Sequence, residues 1–130
     1  YPVIIGGEKF DLPAKFESIN PANKTQVVGR FSDADSDAES LVERAIDAAG
    51  EAFKTWQNVA AEERAEYLFK IAAILRLQKH CYSAWMVYEV GKTWAEADGD
   101  TAEAIDFCEF YGREMLRWAQ PQPLVPVAGE

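Results

Sequence analysis

Histidine is nearly missing from these 130 residues. His80 stands alone, so a histidine-rich metal site cannot be built. Cysteine is scarce as well: Cys81 and Cys108 both fall inside helical patterns, which fits a reducing compartment better than a disulfide framework. Basic residues are outnumbered, 13 against 22 acidic ones, for a formal net charge of -9. That balance disfavours nucleic acid, whose backbone gathers Lys and Arg clusters, and it disfavours anionic membrane surfaces. No apolar run approaches the roughly 20 residues of a membrane span. The opening stretch, YPVIIGGEKF, lacks the basic flank and long apolar core of a secretory signal. The chain starts at Tyr1 and closes on PQPLVPVAGE, so both ends read as cut from something longer.

Phosphate-cradling loops are also lacking. There is no G-x-G-x-x-G and no G-x-x-x-x-G-K-S/T. The GKT triplet at Gly91, Lys92 and Thr93 has no upstream glycine and follows a helical pattern, so it reads as a helix cap. His80 and Cys81 are neighbours, but adjacent residues of a helix point about 100° apart and cannot form a catalytic dyad. Cys108 lies on an apolar stripe and reads as packing. Glu62, Glu63 and Glu66 sit on a polar helix face, where carboxylates are ordinarily solvated. No catalytic, cofactor-binding or metal-ligating constellation is visible in the chain.

What is present is mostly helix. Residues 1–33 read as short strands, PVII, EKF, KFESIN and QVVGRF, parted by the turn-rich GG, DLP and NPANK. Two antiparallel ribbons are the economical arrangement, too small to be stable alone. Residues 34–120 carry four helical patterns. The first begins at DADSDAES, with Asp35 or Ser36 as its cap, and puts Leu41, Ala45, Ala48, Ala49, Phe53 and Trp56 on one face. The second runs from about Ala60 to Lys79, with Leu68, Ile71, Ala72 and Leu75 on its stripe. A short third carries Ala84, Trp85, Val87 and Tyr88 and stops at Gly91. The fourth begins near Thr93 and ends near Trp118. Residues 121–130, with PQPLVP, read as an extended linker because proline cannot continue a helix.

The fourth helix has two faces. Trp94, Ala97, Thr101, Ala104, Ile105, Cys108, Tyr111, Gly112 and Met115 gather on one, and Gly112 there allows a neighbour's close approach. Glu103, Phe107 and Phe110 point the other way. Two accounts of that second strip stand open on the residues alone. In one, the rings are core and Glu103 belongs to an ion pair. In the other, the strip meets a partner domain or a pocket, since an uncovered apolar patch is usually covered by something. A carboxylate among rings would then serve as a hydrogen-bond acceptor or cation anchor.

Several stretches in order carry a resemblance: YPVIIGGEKF, FESINPANKTQVVGRFSDA, AIDAAGEAFKTWQNVAAEERAEYLFKIAAILR and EVGKTWAEADGDTAEAIDFCEFYGREML. Together they resemble the amino-terminal region of the aldehyde dehydrogenase superfamily, over essentially the whole chain. The string EVGK-x-W-x-EA-x-x-D-x-AEAIDF-x-E-x-Y is narrower and is similar to the branch that oxidises glutamate semialdehyde, the pyrroline-5-carboxylate dehydrogenases. The resemblance implies an α/β parent fold with a Rossmann-like cofactor domain, of which this chain holds β ribbons and a helical shell.

It further implies an NAD-dependent oxidation of glutamate semialdehyde to glutamate in proline catabolism. In that chemistry a cysteine thiolate attacks the aldehyde, hydride passes to the nicotinamide, and a glutamate base activates water. None of those groups has a counterpart here, so the chain is expected to be inactive by itself and not to bind NAD alone. One residue carries over. The glutamate of AEAIDF borders the aldehyde pocket in the family, and here it is Glu103, placed to accept a hydrogen bond from the substrate's amino group. The family's monovalent-cation site would draw on the backbone near Ser18 and on Asp100. Members commonly form homo-oligomers and occur alone or fused behind a proline dehydrogenase. A cytoplasmic location follows for a bacterial parent and the mitochondrial matrix for a eukaryotic one. Two other functions remain open, an aldehyde dehydrogenase with another substrate and a free-standing helical module that grips a partner through Phe107 and Phe110.

Overall fold

A computed structural model describes residues 1–123. The first four elements are two hairpins. β1 (Val3–Ile5) pairs with β2 (Glu8–Phe10), and β3 (Lys15–Ile19) pairs with β4 (Val27–Ser32), both antiparallel. The first hairpin turns on Gly6 and Gly7, each at positive φ, the geometry a two-residue turn needs to match strand twist. The second has a register shift at Ser18 and Ile19. Its turn is held by Asn20, whose side chain accepts from the Ala22 N–H at 2.9 Å and donates to Gln26 Oε1 at 2.8 Å. Rings stack across the ribbon, Tyr1 on Phe31 at 5.0 Å and Phe16 on Phe31 at 5.4 Å.

A single 3-10 turn (Asp35–Asp37) leads into α1 (Ala38–Trp56). Neither Asp35 nor Ser36 caps it, contrary to expectation. Asp33 Oδ1 instead accepts from the Asp35 N–H, and the Ser36 hydroxyl donates to Asp37, so the local polar groups close a turn rather than a cap. The α1 stripe is another departure. Leu41 is buried and Ala48 half-buried, but Ala45, Ala49, Phe53 and Trp56 are exposed. The helix touches β1, its last residue Trp56 meets Tyr67 at 5.5 Å between ring centroids, and most of its apolar face is exposed.

Helices α2 (Ala61–Leu77), α3 (Lys79–Val90) and α4 (Trp94–Ala119) form the packed unit. α2 and α4 run antiparallel: Phe69 lies against Gly112, and further along Arg76 reaches Glu109 at 3.2 Å. Ala65 and Ala72 of α2 and Gly112 of α4 are buried small residues, and Gly112 leaves room for the Phe69 ring. Ile71, expected on the α2 stripe, is exposed, while Ala65 and Phe69 take the inner face. On α4, Ala97, Thr101, Ile105 and Gly112 are buried as expected. Trp94 and Tyr111, placed on the same stripe by periodicity, are exposed at its edges.

Mostly helical content with short antiparallel ribbons matches the expected fold class. Residues 121–123 are in no regular element; the rest of the expected linker lies outside the described residues. No described helix is long and apolar enough to cross a membrane.

Candidate functional site

The site is built from the corner where α3 ends and α4 begins. Gly91 closes α3 in the left-handed conformation, at φ 70°, its N–H bonded to the Val87 carbonyl at 3.1 Å. Two residues later Thr93 opens α4 with a capping box. Thr93 Oγ1 accepts from the Glu96 N–H at 3.3 Å, and Glu96 Oε2 accepts from the Thr93 N–H at 3.1 Å. The Thr93 N–H, together with the Thr93 hydroxyl donating to Glu96 Oε2 at 2.8 Å, holds the Glu96 carboxyl below its ordinary value. The GKT triplet is thus spent on ending one helix and starting the next, as its context predicts. The element before it is a helix and not a strand.

The inner face of α4 fixes what its outer face presents. Thr101 and Ile105 point into the stack. Glu103 is two residues from each, about 200° around the helix, and so stands on the far side. It is exposed and has no ion-pair or hydrogen-bond partner among the described residues. Phe107 is 50% exposed and Phe110 55%. Among the described residues, then, these rings are not core and Glu103 sits in no ion pair. The rings are organised nonetheless. Tyr111 stacks on Phe107 at 6.0 Å and meets Phe110 edge-on at 5.3 Å. An acidic group thus stands at one end of an aromatic strip that water alone does not favour.

Beyond Phe110 and Tyr111 the strip opens into a groove of about 660 Å³, walled also by Trp56, Tyr67, Met115 and Trp118. Glu103 does not line it. Trp118 is steadied by its indole N–H donating to Glu114 at 3.1 Å. Glu109, on the flank between the two faces, is held below its ordinary value by the Arg76 guanidinium, with Arg113 adding to this.

The other residues singled out by sequence do not converge on Glu103. Cys81 is exposed beside Trp85 and Tyr88 on α3, Cys108 is half-buried in α4, and the two are free thiols. His80 is exposed in the first turn of α3. Asp100 pairs with Lys92, while the Ser18 hydroxyl donates to Glu89 at 3.1 Å, and no hydrogen bond joins Ser18 to Asp100. Among the described residues no group of three or more His, Cys, Asp and Glu side chains could hold a metal ion.

Sequence reasoning overlooked the polar contact inside the stack. Ser83 and Thr101 are fully buried, 0% and 2% exposed, with their hydroxyl oxygens 3.0 Å apart.

Comparison with known proteins brings the outer strip into context. Residues 9–127 match the model of the aldehyde dehydrogenase family. The chain is 53% identical over 130 residues to the 1-pyrroline-5-carboxylate dehydrogenase of Geobacillus kaustophilus, covering all of this chain and 25% of that protein. It matches the solved structure of 1-pyrroline-5-carboxylate dehydrogenase from Thermus with bound NAD at TM-score 0.88 and 44% identity, over 99% of this chain and 25% of that one. It also matches proline utilization A from Bdellovibrio bacteriovorus at TM-score 0.84 and 37% identity, over 99% of this chain and 13% of that one. The chain spans about a quarter of the length of the curated relatives it matches, in their amino-terminal part.

Proposed function

The chain belongs to the aldehyde dehydrogenase family, and we propose that it is the amino-terminal part of an NAD-dependent dehydrogenase that oxidises glutamate semialdehyde, the open form of pyrroline-5-carboxylate, to glutamate in proline catabolism. Residues 1–33 supply the ribbons and residues 34–120 the helical shell, which packs against a cofactor-binding sheet contributed by the remainder of the parent. This chain's own residues give no seat for NAD and no catalytic thiol, so its part in the reaction is to bind and orient. Alone it turns over nothing. The parent acts in the cytoplasm as a homo-oligomer, separate from or joined to a proline dehydrogenase.

The observation that carries the reading is the placement of Glu103. Its carboxylate stands free of internal partners on the outer face of α4, beside Phe107, within the AEAIDF string. Covered by the remainder of the parent, that strip becomes a pocket wall with an apolar floor and one anionic acceptor. Such a wall suits a short aliphatic aldehyde bearing an ammonium group. A hydrogen bond from a charged donor to a carboxylate contributes about 1.5–3 kcal/mol when removing the partner strands it.

Glu103→Gln in the complete enzyme tests this. The expected result is a drop of about tenfold or more in kcat/KM for glutamate semialdehyde. Unchanged KM and kcat would remove Glu103 from the site.

A further inference from the structure

We propose that Ser83 and Thr101 are positioning residues for Glu103: their buried hydroxyl pair sets the register of α4 on α3 and so fixes where the carboxylate stands. The inference rests on the reading of Glu103 as the contact for the substrate's amino group.

Where α4 meets α3, its inner face around Ala97 is poorly suited to fixing its own position. Ala97 there is a small apolar residue, and small apolar surfaces resist sliding only weakly, while the Phe69 ring against Gly112 holds α4 on α2 instead. A slip of one helical turn would carry Glu103 about 5.4 Å along the axis, and a shift of one residue would swing it by about 100°. A polar contact inside an apolar seam resists both, because any displacement leaves a buried group without its partner.

The hydrogen bonds show how the pair does this. Thr101 Oγ1 donates to the Ala97 carbonyl of its own helix at 2.9 Å. Its oxygen is then left to accept, and Ser83 Oγ lies 3.0 Å away with a proton to give. Ser83 Oγ also lies 3.2 Å from the Ala97 carbonyl and 3.0 Å from that of Lys79 in its own helix. The single Ser83 proton has three acceptors within reach, and two of them, Thr101 Oγ1 and the Ala97 carbonyl, belong to α4. The flanking pair Lys79 to Asp98, at 2.6 Å, ties the same two helices at the surface but is half-exposed and screened. Thr101 precedes Glu103 by two residues, so the turn that carries the pin also carries the carboxylate.

The test uses the complete enzyme and two aldehydes that differ only in the amino group, glutamate semialdehyde and glutarate semialdehyde. The quantity read is the ratio of their kcat/KM values. Thr101→Val keeps the shape and removes the hydroxyl–hydroxyl tie, leaving Ser83 the carbonyls of Lys79 and Ala97, while Ser83→Ala removes every hydrogen bond that Ser83 gives to α4. Thr101→Val and Ser83→Ala are each expected to lower the ratio about tenfold, since a displacement of order 1 Å is costly at a bound group. Thr101→Ser, which keeps the hydroxyl, is expected to restore it. In a Glu103→Gln background, Thr101→Val should change the ratio no further. Equal losses on both substrates, or no loss, would overturn the positioning role. If Glu103→Gln itself leaves the ratio unchanged, the reading of Glu103 fails first. If Glu103→Gln lowers it and Thr101→Val does not, only the positioning role fails.

Discussion

Separating this chain from the rest of its parent should abolish cooperative folding. The chain exposes 9808 Å² at a mass of 14.5 kDa. A compact monomer of that mass exposes about 6,900 Å². Seven residues in fully extended form account for about 1,000 Å², so even generous allowance for the carboxyl-terminal residues leaves roughly 1,900 Å² in excess. With about 60% of it apolar, the forgone burial is worth about 25–30 kcal/mol at ~25 cal/mol per Å². Reducing that by about 40% for compactness of the denatured chain still leaves about 16 kcal/mol, above the usual net stability of about 5–15 kcal/mol. The shortfall has an address: all four tryptophans, most of the α1 stripe and the Phe107, Phe110 and Tyr111 strip are exposed. Urea titration of the purified 130-residue chain, followed by far-UV circular dichroism and tryptophan fluorescence, should give broad, non-coincident changes. One sharp, coincident transition would refute the reasoning and favour a free-standing helical module.

Further outcomes follow for the complete parent. Gly99 and Gly112 lie in the same helix, but an added Cβ meets nothing within 4 Å at Gly99 and comes within 2.5 Å of the Phe69 ring at Gly112. Gly99→Ala should raise apparent thermal stability through helix propensity, about 1 kcal/mol. Gly112→Ala should sit about 1–3 kcal/mol below it, and the gap should close in a Phe69→Leu background. Thr93→Ala removes the capping box of α4 and should cost about 1 kcal/mol, read as a lower melting temperature. Acid sensitivity should depend on Arg76. The Glu109 carboxyl is depressed in the folded state, so its contribution is present above the ordinary value of 4.5 and is lost as pH falls through the lower folded value. Arg76→Gln should lessen the drop in melting temperature on acidification below about pH 5, and an unaltered drop would contradict that assignment.

Much of the helical shell was legible because its punctuation is local. Gly91 ends α3 and Thr93 starts α4 through bonds among near neighbours in sequence, and Gly6–Gly7 turns the first hairpin. Gly112 was legible as a point of close approach, though Phe69 as the neighbour was not, because the partner is set by how two helices cross. The failures share a cause. Phe53, Trp56, Trp94 and Tyr111 have the spacing of core residues, yet all four are exposed, since periodicity reports which face is apolar and not what lies against it. The Ser83 contact was invisible for a different reason: serine within a helix ordinarily faces solvent or its own backbone, and only the crossing of α3 and α4 buries it. At the candidate site, the sequence supplied Glu103 and the direction in which it points. Among the described residues nothing pairs with that carboxylate.

The account's central claim is tested most directly by assaying the complete parent protein for NADH formation with pyrroline-5-carboxylate, in equilibrium with glutamate semialdehyde, alongside a panel of simple aldehydes. It predicts NAD-dependent turnover with glutamate as product and a preference for this substrate over aldehydes lacking the amino group. Turnover of other aldehydes with none of glutamate semialdehyde would contradict it.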